Sequence, residues 1–185
     1  MQTDLTGQFL IAMPGMGDPR FAASLVVICS HSEEGAMGLI VNKRVGGVSF
    51  EEFFSGIDLE THPDVRFPIR FGGPVDVERG FVLHSRDGQS AEGTLEITDA
   101  LALTATRDVL AAMLVGKGPR RALFAVGYAG WGAGQLEAEI ADNGWLTSDI
   151  SEALIFGEDD EGKWEGALRA LGVDPAHLSV VGGRA

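Results

Sequence analysis

The chain has 185 residues, 45% of them apolar and 22% charged, a composition that fits a folded globular protein and excludes disorder over most of its length. Lys and Arg number 14 against 27 Asp and Glu, and the formal charge of −13 repels phosphate backbones and anionic bilayers, which argues against direct nucleic-acid binding. The lone cysteine, Cys29, excludes an intramolecular disulfide, Met1–Gly7 lacks a signal-peptide pattern, and no run nears the roughly 18 to 20 apolar residues that cross a bilayer. One cytoplasmic domain spanning residues 1–185, away from membranes, is the expectation.

In chain order, Phe9–Met13 is a short apolar run stopped by Pro14 and Gly15, and Leu25–Ser32 is a second, β-branched run. Glu34 and Gly35 supply a turn into a third strand, Met37–Lys43, so these two strands form an antiparallel hairpin at the sheet's centre. Ser49 opens a helix: Glu52 completes a capping box, Val48 staples onto Phe53, and Phe50, Phe53, Phe54 and Ile57 share one buried face. Pro68–Phe71, Gly80–Ser85 and Leu101–Thr104 read as strands, with Arg86–Gly93 an exposed loop.

Thr106 caps a helix that runs to about Val115, and Gly116, Gly118 and Pro119 stop it. Arg121–Tyr128 is the most apolar strand, followed by a glycine-rich turn and a helix from about Gly134 to Ala141, with Leu136 and Ile140 inward and Glu137 and Glu139 in water. The run Asp159–Glu161 reads as an exposed acidic turn between a short helix, Ser151–Phe156, and a last one carrying Trp164, Leu168 and Leu171 that ends at Gly172 and Pro175. Strands gather early and helices late, which favours an α+β fold.

Period two on Leu25–Ser32 places Val27, Cys29 and His31 on one face, and a thiol beside an imidazole is the minimum for an activated nucleophile or redox sensor. The commoner alternative is a packed Cys with a His at the rim. His62, His84 and His177 stand singly, without metal-ligand spacing, and His84 and Ser85 point to opposite faces of one strand and make no dyad. The expectation is therefore no metal and no cofactor.

A second candidate surface combines Asn42 and Lys43, which suit a carboxylate or phosphate, with Gly130, Trp131 and Gly132. These last three sit in Gly127–Gly134, where a strand, a glycine-rich turn and a helix follow one another and backbone N–H groups could cradle an anion. Gln135 occupies the third glycine position of a dinucleotide fingerprint, and no Lys-Ser/Thr follows as in a P-loop. A tight turn on which Trp131 packs is the simpler account.

The blocks Leu5–Gly7, Phe9–Pro14, Asp18–Phe21, Gly35–Lys43, Gly72–Val75, Gly80–Ser85 and Gly127–Leu136 resemble the YqgE/AlgH family over nearly the whole chain. Arg44 stands where relatives often have proline. The resemblance implies a bent, mostly antiparallel sheet flanked by helices in a bacterial cytoplasmic protein. It implies little about activity: members often carry the label of transcriptional regulator, and no catalytic residues come with it. The expectation is a noncatalytic binding or indirect regulatory protein, monomeric or weakly self-associating, acting through an unknown protein or small-molecule partner. A thiol enzyme or sensor using Cys29 with His31 is the rival, and a direct transcriptional regulator ranks last.

Overall fold

Alternation along a strand sends side chains to two faces, and where both faces are apolar the sheet needs cover on both sides. The computed structural model, which describes residues 3–88 and 91–178, shows this arrangement. Strands β1 (Gln8–Ala12), β2 (Leu25–Ser32) and β3 (Gly35–Ile40) precede helix α1 (Phe50–Phe54). Then come β4 (Ile69–Phe71), β5 (Val75–Ser85), β6 (Thr94–Glu96), β7 (Leu101–Thr104), α2 (Arg107–Leu114) and β8 (Ala122–Gly132). Helix α3 (Gln135–Ala141), β9 (Trp145–Asp149), α4 (Glu152–Phe156) and α5 (Asp160–Ala170) follow.

The strands join in the order β6-β7-β5-β8-β3-β2-β1-β9, all antiparallel, with β4 parallel to β8 off that path. The sheet curls, and its inner face carries one cluster reaching from Phe9 and Ile11 on β1 to Leu101 and Leu103 on β7, capped by Ile155 of α4 and Leu168 of α5. The outer face is divided. Leu10, Val26, Ala129 and Trp131 pack with α3, while Val82, Phe124 and Val126 pack with α1 and α2.

The division falls at Gly127, in the middle of β8. Ala125 faces in and Val126 out, yet Tyr128 faces in again, so Gly127 is one extra residue. Its φ of 73° lies in the left-handed region, and a Cβ there would collide with the carbonyl oxygen of Gly73. The glycines at 72, 73 and 127 thus mark a close backbone crossing.

The α+β fold and most elements stand where the sequence places them, and the Ser49–Glu52 capping box forms with both hydrogen bonds. Several boundaries differ. Helix α1 ends at Phe54, though Ile57 still packs on the cluster with Phe50 and Phe53. Thr106 holds the N-cap position of α2 without a side-chain hydrogen bond. Two short strands, β6 and β9, escape the pattern because each is an edge with a single neighbour. The largest change is at β8, which runs on through Gly132, so Ala129–Gly132 of the glycine run pairs with β3 and is not a turn.

Candidate functional site

The β2–β3 register pairs Val27 with Leu39 and Ile28 with Gly38, then resumes with Ser30 opposite Met37 and His31 opposite Ala36. Cys29 has no partner in this ladder and is the extra residue of a bulge, so the face of every later residue is reversed. Cys29 remains in the inner cluster, wholly buried, with its thiol 3.6 Å from the carbonyl oxygen of Val27. His31 goes with Ala36 to the outer side. There its Nδ1 accepts from the Leu5 amide at 3.0 Å, which leaves Nε2 to donate to Glu137 on α3 at 2.5 Å. The shared face expected for Cys29 and His31 is overturned. Burial also pushes the thiol up to about 12, away from thiolate chemistry at neutral pH.

Asn42 and Lys43 lie just past the end of β3. Asn42 accepts from the Leu25 amide at 2.9 Å and donates to the Ala23 carbonyl at 2.8 Å, while Lys43 Nζ donates to the Arg20 carbonyl at 3.3 Å. Both clasp the loop that leads into β2. Trp131 is not on a turn: it is 6% exposed in the outer cluster, edge-on to Trp145 with ring centroids 6.0 Å apart. Glu139, expected in water, is half-buried beside these indoles, and burial lifts its carboxyl above the ordinary carboxylate value. The Gly132 amide donates to Gln135 Oε1 at 3.0 Å. The strand pairing removes both the tight turn expected along this run and the anion cradle weighed against it.

The exposed acidic turn expected at Asp159–Glu161 fails at its middle residue. Asp160 is buried, its Oδ1 accepting from Lys163 Nζ at 2.7 Å and from Arg70 Nε and NH2 at 3.1 Å, and its Oδ2 from Arg44 Nε at 2.6 Å. Lys163, 2% exposed, also donates to the carbonyls of Val41 and Ile155, so three acceptors surround its ammonium. Burial alone would raise the Asp160 carboxyl, but the hydrogen bonds from Lys163 and Arg44 and the charges of Arg70 and Lys163 hold it below the ordinary carboxylate range. Lys163 sits three residues after Asp160 and four before Ala167, on the inward stripe of α5. Charged residues at apolar-stripe positions are the signal that marks this cluster in the sequence.

His84 Nδ1 donates to the Ser85 carbonyl at 2.9 Å, its Nε2 shares a hydrogen bond with Thr104 Oγ1 at 2.8 Å, and Ser85 Oγ accepts from the Arg121 amide, so the two side chains do not meet as a dyad. A cavity of about 530 Å³ opens beside them, but the hydroxyls of Thr94 and Thr104 satisfy one another at 2.8 Å.

A larger groove, about 700 Å³, lies where the helices leave the inner face uncovered, between β2–β3 and β5–β7. Phe81 and Tyr128 form its floor, edge-to-face at 5.8 Å, with Gly130 beside them. One wall is an extruded arm of β5. Val75 pairs with Tyr128 and Gly80 with Val126, so five steps along β5 face only two along β8 and the intervening residues bulge outward. Asp76 in that arm has a φ of 48°, a strained value for a non-glycine residue. The arm aims Arg79 into the groove, its guanidinium 5.2 Å from the Phe81 ring centroid. Of the three large apolar side chains that stay exposed among the described residues, Leu95 lines this groove and Val77 stands on the arm.

Gly130 is informative because nothing local requires it. Its backbone is outside the left-handed region, and an added Cβ would meet Tyr128 at 3.5 Å and Val75 at 3.9 Å, which is ordinary contact. Glycine inside a strand is destabilising, and a close approach by something outside the chain is one reason to keep it.

A family model described as AlgH-like matches residues 9–176. Over 186 residues the chain is 50% identical to a UPF0301 protein of Paracoccus denitrificans, covering 99% of this chain and 98% of that one. It is 50% identical over 184 residues to a UPF0301 protein of Ruegeria pomeroyi, covering 98% and 100%. The solution structure of the AlgH protein from Pseudomonas aeruginosa matches with a TM-score of 0.79 at 41% identity, over 100% of this chain and 98% of that one. A crystal structure from Corynebacterium diphtheriae shares the fold with a TM-score of 0.68 at 21% identity, over 91% and 88%. The chain belongs to the AlgH-like, UPF0301 family of bacterial proteins.

Proposed function

We propose that this protein is a noncatalytic binding protein, with any regulatory effect exerted indirectly, and that the inner-face groove is where it takes its partner. The observation that carries this reading is Gly130: a strand-interior glycine, spared by both backbone geometry and packing, at the floor of a groove of about 700 Å³. The strained arm and the exposed Leu95 and Val77 around it support the same reading. Filling the groove tests it. Gly130→Leu should fold normally and lose the ligands that shift the melting temperature of the parent protein in a metabolite screen; retention of every such ligand would sink the proposal.

The thiol reading makes an opposite forecast. With the Cys29 thiol at about 12, iodoacetamide should label the folded protein about a thousandfold more slowly than the urea-unfolded chain at pH 8. Equal rates would restore a reactive thiol.

A further inference from the structure

The groove's chemistry is unequal along its length, and that inequality selects among ligands. At one end the exposed Arg79 lies over the Phe81 ring, and among the described residues no carboxylate or carbonyl takes up its guanidinium. A guanidinium lying on a ring keeps its in-plane N–H donors available, and these match a carboxylate or phosphate in a bidentate manner. The floor next to it is Tyr128, half-buried and edge-to-face with the buried Phe81, so the Tyr128 ring is the aromatic surface left for a further flat group, with exposed Gly130 giving that group access to the backbone. At the other end, on the β2–β3 turn, stands Glu34, preceded by the hydroxyls of Ser30 and Ser32. Glu34 would repel a second negative group.

We propose that the groove takes a planar aromatic molecule bearing one acidic group, the ring on Tyr128 and the acid on Arg79. This rests on the reading of the groove as the binding site. The charge of −13 does not forbid it, because exposed charges farther than about 8 Å are largely screened at physiological ionic strength, whereas Arg79 lies in the groove itself. A cation over an aromatic floor, set in an otherwise acidic surface, is a local complement to an aromatic anion and not to a cation or a neutral chain.

Naphthoate and its neutral amide, naphthamide, separate the parts of the proposal. By calorimetry or ligand-observed NMR, naphthoate should bind the parent protein, and Arg79→Gln should weaken it about tenfold, in line with loss of a charge-assisted hydrogen-bond pair. Naphthamide should bind more weakly and change less than about twofold on the same substitution. Glu34→Gln should tighten naphthoate, and added salt should weaken naphthoate only. Gly130→Leu should abolish both. If Gly130→Leu abolishes both while Arg79→Gln leaves naphthoate unchanged, the groove stands and the acidic ligand class is overturned. If neither probe binds, or if both bind Gly130→Leu as well as the parent, the aromatic-anion site is overturned outright.

Discussion

Around Asp160, three cations share one buried carboxylate; at the inner-face groove, a single guanidinium lies on a phenyl ring with no acid against it among the described residues. Both regions depart from what hydrophobic patterning alone would build, and they do so for different reasons. A charge removed from water must find its counter-charge within the fold, so the Asp160 cluster is closed on itself and ties α5 to β4, to the chain after β3 and to the end of α4. Arg79 is exposed and under no such demand, and among the described residues its donors have no protein acceptor. Internal closure marks a part that holds the fold, and the unfilled donors at Arg79 are what the proposed binding site rests on.

Breaking the closed region should have the largest effect. Asp160→Ala leaves Arg70 and Lys163 buried without their anion and should cost about 3 to 5 kcal/mol in urea unfolding. The same carboxyl sets an acid limit. Its folded value lies below its unfolded one, so its stabilisation is complete above the unfolded value of about 3.9 and is lost as pH falls through the folded value. The melting temperature of the parent protein should therefore drop across that window, and the drop should be shallower in Asp160→Ala.

Two glycines on one strand sharpen the contrast. Gly127→Ala forces a side chain into the left-handed region and against Gly73, and should cost at least about 2 kcal/mol. Gly130→Ala, only three residues further along β8, should be neutral or stabilising by about 0.4 to 1 kcal/mol, because its Cβ meets only ordinary contacts and only the unfolded chain loses freedom. Ser49→Ala removes the helix cap remote from both regions, should cost about 1 kcal/mol, and should leave naphthoate affinity unchanged. The smallest effect is expected at the open region itself: Arg79→Gln should alter unfolding stability by less than about 0.5 kcal/mol, which calorimetric scans would check.

Much of the fold is legible in the sequence because its signals are local. The capping box at Ser49 and Glu52, the β-branched run Leu25–Ser32 and the glycine stops after Leu114 each act within a few residues. The site is far less legible. Cys29 and His31 share a face by period two, and a single unpaired residue sends them to opposite sides, a fact that exists only in the pairing of β2 with β3. Trp131, Asn42 and Lys43 have functional-looking neighbours in sequence, but their side chains are engaged in packing and in holding the loop before β2. Arg79 has no motif around it. Its place depends on the mismatch between β5 and β8, which are joined across about forty residues of chain.

By itself the sequence determined the elements, the α+β segregation, the acidic surface and the absence of any disulfide within the chain, since composition and short-range periodicity suffice for these. Only the tertiary structure decided which side chains meet: the bulge at Cys29, the crossing at Gly127, the burial of Asp160 with Lys163, and the opening above Gly130. Register between distant strands is fixed by the packing of both faces at once, and a shift of one residue reverses every neighbour that follows.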